Sequence, residues 1–193
     1  LETTARLDLD GGTVAIPGAD ELDELARSVL NSDVDACGIS LIHGYLKPEF
    51  ERELASQLSK RGISEVICAT ELSAAHGLSA RTETLAVEAS LRKIMQTFIQ
   101  DLLPSSTPKR AVSIMTSSGG LTSEENFQAK DGLLSGPAGG VVGAAFSALN
   151  VGEDRILGFD MGGTSTDVSR WDRRMLYRFE TKVGPARIQS PCV

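Results

Sequence analysis

The chain has 193 residues, of which 41% are hydrophobic, so it can fill one core and is not a disordered segment. Its formal net charge of −7 argues against nucleic acid or an anionic membrane as the main partner. Residues 1–35 alone carry nine acidic and two basic side chains, so the remainder of the chain is close to neutral.

The first predicted elements are a hairpin and two helices. Residues 1–16 alternate loosely around Asp10-Gly11-Gly12, which predicts a β-hairpin with a plain turn. Apolar side chains at helical spacing predict a helix over residues 20–31, with Asp20 as its cap. A second helix is expected over residues 48–62, because proline suits a first turn and glycine a helix end. Its predicted inner stripe is Phe50, Leu54 and Leu58.

The next segments alternate between strands and helices. Short apolar runs at residues 36–42 and 63–69 predict strands, and a third strand is expected over residues 111–115. The longest predicted helix covers residues 79–103 and ends at Pro104. This alternation predicts an α/β fold with a parallel sheet and flanking helices. The predicted inner face of the longest helix is Val87, Leu91, Ile94, Met95, Phe98 and Leu102.

Polar, glycine-rich segments follow the predicted strands at three places. They are residues 43–44, residues 116–120 and the segment after Phe159. In parallel sheets, ligands bind beyond the carboxyl ends of the strands, so these segments are expected at a ligand site. In the second segment the candidate binding residues are Ser118, Gly119 and Gly120.

Residues 135–143, Ser-Gly-Pro-Ala-Gly-Gly-Val-Val-Gly, predict a helix with Ser135 as cap and Pro137 in the first turn. Each glycine inside a helix costs about 1 kcal/mol relative to alanine, so four within eight residues need a reason. The available reason is the close approach of a ligand, or of another backbone, to the helix, and the two explanations are compatible. The helix N-terminus favours an anion, and the candidate binding residues are Ser135, Gly136, Gly139 and Gly140.

The most specific motif is Asp160-Met-Gly-Gly-Thr-Ser-Thr-Asp167, which follows an apolar run expected to form a buried strand. The two glycines are expected to turn the chain into a hairpin, whose tip offers amides and hydroxyls to a phosphate. A Gly-Gly hairpin without a ligand is the plain alternative. The candidate binding residues of this tip are Gly162, Gly163, Thr164, Ser165 and Thr166.

Asp160 and Asp167 flank this tip and would repel a phosphate directly. They therefore require a cation between them and the phosphate, or a water to orient. Mg²⁺ takes one or two carboxylates together with phosphate oxygens and water, so both aspartates are candidate Mg²⁺ ligands.

Four arginines, Arg170, Arg173, Arg174 and Arg178, flank the last strands of the chain, and Trp171 is expected to cover the base of the hairpin. A solvated face is one interpretation of the arginines, and a clamp on phosphate is the other.

Cys37, Cys68 and Cys192 form no Cys-x-x-Cys pair, so neither a zinc site nor a disulfide framework is expected. Reduced cysteines, with no signal peptide and no apolar run long enough to span a bilayer, favour a cytoplasmic location. Because Leu1 is not an initiator, the chain is expected to be a segment of a longer protein.

The chain resembles the hydantoinase A / 5-oxoprolinase family, which includes the acetone carboxylase β subunit. The resemblance rests on three strings in the same order and spacing, at residues 113–121, 135–144 and 158–168. Residues 41–49 resemble a further stretch of the family, in which Gly44 replaces a serine. Glu83 also stands where relatives often carry serine, so no substrate contact is transferred to that position.

This resemblance implies part of an actin-like ATPase fold, in which two related α/β domains close on a nucleotide. Residues 1–150 would be the C-terminal part of the first domain, and residues 151–193 the truncated start of the second. The hairpin with Asp160 and Asp167 would be the phosphate hairpin of the second domain. The first domain's own hairpin would lie upstream.

The resemblance further implies ATP-dependent opening of a cyclic amide such as 5-oxoproline or a hydantoin, with ATP and Mg²⁺ as cofactors. Phosphorylation of the lactam oxygen would create a good leaving group, and the protein must position the γ-phosphate and neutralise its charge. Asp160 and Asp167 would be the catalytic residues, and a hydantoinase B-like subunit or domain the partner. With half of the nucleotide clamp missing, the 193 residues alone are expected to be inactive.

Two other interpretations stay open. Sugar-kinase-like phosphotransferases of the same fold superfamily also carry Asp-x-Gly-Gly-Thr, although the string at residues 135–140 is not one of their features. A non-catalytic ATPase subunit is the third possibility.

Overall fold

The computed structural model describes residues 1–102 and 112–193. Leu103 and Pro104, at the predicted end of the longest helix, and Ala111, in a predicted strand, lie outside the described residues. Two compact units divide the chain: unit 1 comprises residues 1–94 and 182–189, and unit 2 comprises residues 95–181 and 190–193. The domain boundary expected at residue 150 stays a prediction.

Unit 1 begins with the predicted hairpin, in which β1 (Arg6–Leu7) pairs antiparallel with β2 (Thr13–Ala15). The carboxyl group of Asp8 accepts hydrogen bonds from the amides of Asp10 and Gly12 at 2.9 and 2.6 Å. These bonds satisfy the turn amides within the hairpin. The turn is therefore the plain structural turn that was predicted.

Helices α1 (Ala19–Leu30) and α2 (Pro48–Ser59) confirm the next two predictions. The cap assignment was wrong, because Gly18 occupies the cap position and Asp20 lies in the first turn, where its charge suits the helix dipole. The predicted stripe of α2 is buried in the core of unit 1, which contains Ala5, Leu7, Leu22, Ala26, Ile39, Leu41, Phe50, Leu54, Leu58 and Ile63.

Strands β3 (Cys37–Ile39) and β4 (Val66–Cys68) form a parallel pair and are shorter than predicted. The chain turns into the short helix α3 (Ala69–Leu72) directly after β4. Cys68 is a core residue, and its burial raises the pKa of its thiol to about 12.

The longest helix, α4 (Leu78–Leu102), has a different buried face from the predicted one. Ile94, Phe98 and Leu102 are each more than half exposed. The buried side chains are instead Ala80, Arg81, Thr84, Leu85, Glu88 and Ile99.

Hydrogen bonds explain this polar buried face. The guanidinium of Arg81 donates to the carbonyl oxygens of Leu41 at 2.6 Å and Ala75 at 3.0 Å. Glu88 accepts from Arg92 at 3.0 Å. Buried polar groups are tolerated when they find such partners, so apolar periodicity alone gave the wrong face.

Unit 2 contains the remaining helix and most of the remaining strands. β5 (Ser113–Met115) pairs antiparallel with β6 (Leu121–Ser123). Helix α5 (Ser135–Asn150) precedes β7 (Ile156–Met161), which pairs antiparallel with β8 (Thr166–Trp171). The last two strands, β9 (Thr181–Val183) and β10 (Ala186–Ile188), pair with each other.

Within the described residues these strands form five two-stranded sheets, and β3–β4 is the parallel pair among them. The expected continuous parallel sheet is not seen in this part of the chain. β5 pairs with its own return strand, so residues 116–120 form a hairpin turn instead of following a parallel strand. The α/β class holds. None of the described helices is long and apolar enough to cross a membrane.

A buried acidic side chain links three segments of unit 1. Glu51 of α2 is fully buried and accepts from the amides of Leu41 and Thr70, both at 2.9 Å, and from the Thr70 hydroxyl at 2.8 Å. A Cβ at Gly44 would lie 2.6 Å from Glu51 Oε1. This contact explains why glycine stands at residue 44.

We expect Glu51→Ala to lower the free energy of unfolding by about 2–4 kcal/mol, because three donors would lose their acceptor inside the protein. Glu53→Ala removes an exposed carboxyl from the same helix and should change the value by about 0.5 kcal/mol or less. Urea unfolding of both variants measures the difference. Equal values for the two variants would contradict this structural role.

Glu83 of α4 accepts hydrogen bonds from the guanidinium of Arg187 at 2.7 Å and from the Arg187 amide at 2.8 Å. These hydrogen bonds lower the pKa of Glu83 from 4.5 to about 2. Because the folded pKa is depressed, the stabilisation is present above pH 4.5 and is lost as the pH falls towards 2.

Glu83→Gln should therefore be less stable than the parent chain at pH 6, and the gap should narrow between pH 4.5 and 2. Thermal unfolding midpoints across this pH range measure it. Glu53→Gln is the control and should show no such narrowing. A difference in unfolding midpoint between the parent chain and Glu83→Gln that stays constant down to pH 2 would refute the pairing of Glu83 with Arg187.

Candidate functional site

The hairpin β7–β8 turns sharply at the predicted place. Asp160 is paired with Asp167 and Met161 with Thr166, and the amide of Gly162 donates to the carbonyl of Ser165 at 2.9 Å. The tip is exposed, and the hydroxyls of residues 164–166 make no hydrogen bond within the described part of the chain. The amide of Gly162 is therefore used within the turn, whereas the hydroxyls of residues 164–166 are open, and their binding of a ligand stays a prediction.

The prediction that residues 156–159 form a buried strand was wrong. Leu157, Phe159 and Met161 are 65%, 68% and 76% exposed. Successive strand side chains point to opposite faces, and the face with Ile156 and Gly158 is the one that packs on α5. The opposite face of the hairpin carries the exposed apolar side chains.

Trp171 closes the base of the hairpin, as predicted. It is buried with Ala145 and Ala148 of α5, and Ile156 and Met175 pack around this cluster. The hairpin is thereby anchored to one side of α5.

The glycines of α5 have two different surroundings. A Cβ at Gly140 would lie 3.0 Å from Asp160 Oδ2, so this glycine makes room for a side chain of the hairpin. A Cβ at Gly139 would meet Met115 at an ordinary 3.9 Å, and at Gly136 and Gly143 it would meet nothing within 4 Å. Packing therefore accounts for Gly140 but not for the open positions.

Ser135 begins α5 but does not cap it, which corrects the sequence prediction. Leu134 occupies the cap position, and the Ser135 hydroxyl donates to the carbonyl of Gly132 at 2.9 Å. The first amides of the helix have no side-chain cap.

The polar loop of residues 116–120 is tied to the start of α5 by a residue that sequence reasoning missed. The hydroxyl of Ser117 donates to the carbonyl of Asp131 at 2.7 Å and accepts from the amide of Leu134 at 3.0 Å. The Ser117 amide donates to the same Asp131 carbonyl at 2.6 Å. The carboxyl group of Asp131 binds the buried Lys130 at 2.6 Å. Ser117 lies in a run of small residues, Thr-Ser-Ser-Gly-Gly, and nothing in the sequence distinguishes it from its neighbours.

A cavity of about 670 Å³ lies in unit 2 between α5, the hairpin and the C-terminal segment. It brings together three predicted site residues: Gly140, Asp160 and Asp167. The other candidates lie outside its lining, and their binding role stays a prediction. They are Ser118, Gly119, Gly120, Ser135, Gly136, Gly139, Gly162, Gly163, Thr164, Ser165 and Thr166.

Asp160 and Asp167 are direct cross-strand neighbours in the wall of this cavity. Such neighbours have Cβ atoms about 4.5–5.5 Å apart, and like charges in this arrangement repel. Neither carboxyl group has a hydrogen bond or ion pair within the described residues. No group of three or more potential metal-ligating side chains occurs there either. A cation would therefore take two protein carboxylates and complete its shell with phosphate and water, as Mg²⁺ commonly does.

The four arginines do not act as one group. Arg173 pairs with Asp154 and lowers the pKa of that carboxyl, while Arg170 and Arg174 lie 3.4 and 3.8 Å from Asp172. Arg178 lines the cavity and has no ion pair in the described part of the chain.

Comparison with known proteins supports the sequence resemblance. The family model described as Hydantoinase/oxoprolinase matches residues 81–193. A protein named 5-oxoprolinase PfmaA, from Pestalotiopsis fici, is 36% identical over 175 residues. That match covers 87% of this chain and 13% of the relative, so the chain spans about an eighth of its length.

Two solved structures are similar to this chain in fold. One is the nucleotide-free structure of an acetone carboxylase, which carries out ATP-dependent acetone carboxylation. Its TM-score is 0.76 at 25% identity. The ATP-dependent caprolactamase of Pseudomonas jessenii has a TM-score of 0.82 at 22% identity. Each match covers 98% of this chain and 28% of the solved chain.

Gly143 and Gly140 of α5 should respond differently to alanine. Gly143→Ala should stabilise the chain by about 0.5–1 kcal/mol, because alanine favours the helix and its Cβ meets open space. Gly140→Ala should lack this gain, because its Cβ must displace Asp160. Thermal unfolding of the two variants measures the difference. An equal gain at both positions would show that the helix and the hairpin are not in close contact.

Proposed function

Because the chain belongs to the hydantoinase/oxoprolinase family, we propose that it forms part of an ATP-dependent hydrolase of cyclic amides. The observation that supports this most directly is the pair Asp160 and Asp167, which face a cavity beside the bare surface of Gly140. Two unpaired carboxyl groups next to open amides and hydroxyls suit a metal–phosphate ligand better than they suit a hairpin that binds nothing.

The hairpin has two roles in this proposal. Asp160 and Asp167 would hold Mg²⁺ and orient water, while the amide of Gly163 and the hydroxyls of Thr164, Ser165 and Thr166 would donate to the phosphates. Gly162, whose amide donates to the carbonyl of Ser165, would contribute a backbone that a phosphate can approach closely. Mg²⁺ supplies neutralisation of the charge that develops on the transferred phosphoryl group. The exposed tip and its unused hydroxyls support this assignment.

The start of α5 and the polar loop complete the proposed nucleotide site. The uncapped N-terminus of α5 offers amides near Ser135 and Gly136, and a Cβ at Gly136 would meet nothing within 4 Å. Gly140 would act indirectly, because it makes room for Asp160, and Gly139 lies beside it on the same turn of the helix. Ser118, Gly119 and Gly120 extend the site, and the Ser117 tie links their loop to that N-terminus.

In chemical terms, the lactam oxygen of a small cyclic amide would attack the γ-phosphorus of ATP, and ADP would leave. Water would then add to the ring carbon, the C–N bond would break and phosphate would leave, which gives the open-chain amino acid. The protein's part is to position the γ-phosphate and to balance its charge. We further propose that the complete protein has an actin-like ATPase fold and works with a hydantoinase B-like subunit or domain. The fold shared with two enzymes described as ATP-dependent supports this architecture.

Ketone carboxylation is the second candidate activity. It is favoured by the likeness to acetone carboxylase, which extends over 98% of the chain at 25% identity. Both solved neighbours are named as ATP-dependent, so the same nucleotide-site residues would serve either activity.

The test uses the full-length protein with ATP and 5-oxoproline, hydantoin, or acetone with bicarbonate, with and without Mg²⁺. We expect ADP release that depends on a cyclic amide and on Mg²⁺. Release that requires acetone and bicarbonate would favour the second candidate. No nucleotide binding under any of these conditions would refute the proposed function.

Asp160→Asn and Asp167→Asn should each lower this turnover by about 100-fold or more, the scale for loss of a group that balances developing charge. Asp154→Asn is the matched control, because Asp154 is an exposed carboxyl that pairs with Arg173 away from the cavity. Turnover close to the parental value in both Asp160→Asn and Asp167→Asn would show that these aspartates have no catalytic role.

A further inference from the structure

Arg178 differs from the other three arginines near the hairpin. It lines the cavity that contains Asp160 and Asp167, and its side chain has no hydrogen bond or ion pair among the described residues. Arg170 also lines this cavity, but Asp172 lies 3.4 Å from its guanidinium. Arg178 is therefore the cavity-lining arginine whose charge is not already balanced by a carboxylate in the described chain.

The backbone of Arg178 is held in place. Its amide donates to the carbonyl of Cys192 at 2.9 Å, and its carbonyl accepts from the Cys192 amide at 2.8 Å. The next residue, Val193, donates its amide to the carbonyl of Ser117 at 3.1 Å. Arg178 is thus connected through a short ladder to the same loop that the proposed nucleotide site uses.

The hairpin tip, the polar loop and the start of α5 include no positive side chain that could balance the charge of a nucleotide in the proposed site. Two aspartates already balance the charge of one Mg²⁺ ion, so the negative charge of a bound triphosphate would remain without a counter-charge. A guanidinium satisfies this need well, because it stays charged and can donate two parallel hydrogen bonds to phosphate oxygens.

We propose that Arg178 binds the phosphate chain of the nucleotide in the cavity that Asp160 and Asp167 also line. This inference rests on the proposed function of the site. It adds a phosphate-binding residue from the segment after β8, which none of the glycine-rich motifs contains.

The test is equilibrium binding of ATP with Mg²⁺ to the full-length protein. Arg178→Ala should weaken binding about 10- to 100-fold, the range for losing hydrogen bonds to a charged group. Arg178→Lys should recover part of the loss, because lysine restores the charge but not the paired geometry. Arg174→Ala removes the same charge from an arginine outside this cavity and should leave binding within about twofold.

Unfolding midpoints of the variants separate loss of the fold from loss of binding, and Arg178→Lys provides the readout if Arg178→Ala is unstable. Parental binding by the alanine variant, while Asp160→Asn binds poorly, would overturn the role of Arg178 and leave the proposed function standing. An unchanged ATP affinity with a raised KM for the cyclic amide would also overturn it, because Arg178 would then contact the other substrate. Failure of the parent protein to bind nucleotide would refute the proposed function itself.

Discussion

The close packing of the hairpin β7–β8 on α5 is the contact on which the candidate site depends. Two glycines permit it from opposite sides. A Cβ at Gly140 would meet Asp160 of the hairpin at 3.0 Å, and a Cβ at Gly158 would meet Ala144 of the helix at 3.4 Å. With Trp171 sealing the base, this packing fixes which face of the hairpin points to the helix. The carboxyl groups of Asp160 and Asp167 therefore share one cavity wall.

The elements that local sequence determines were the ones that could be predicted. The hairpin turn lies at the predicted Gly162-Gly163 pair, although neither glycine has a positive φ. The start of α2 at Pro48 follows from the fixed backbone angle of proline. The cap positions were missed by one or two residues. A cap depends on backbone angles at the helix start, and both Asp20 and Ser135 lie inside their helices instead.

Features that depend on distant partners could not be read from the sequence. The buried face of α4 holds Arg81 because the carbonyl of Leu41, forty residues earlier, accepts its hydrogen bond. The tie between Ser117 and the start of α5 depends in the same way on where the carbonyl of Asp131 points. β5 pairs with the strand that follows it rather than with a parallel neighbour, and no periodicity distinguishes these two outcomes. In all three cases the outcome depends on residues that are distant in sequence or on the choice of a pairing partner.

The chain also contains its own comparison for the Gly-Gly-Thr motif. In the first hairpin, Asp8 accepts from the turn amides, and the Thr13 hydroxyl accepts from the ammonium of Lys47 at 2.9 Å. The polar groups of that turn are satisfied internally, so it has little to offer a ligand. In the second hairpin the tip hydroxyls have no partner within the described residues, and the two aspartates face the cavity. The same three residue types thus form a structural turn in one place and an open polar tip in the other. The two hairpins differ in whether neighbouring side chains form hydrogen bonds with the polar groups of the turn. The function proposed for the second hairpin therefore depends on its surroundings more than on its motif.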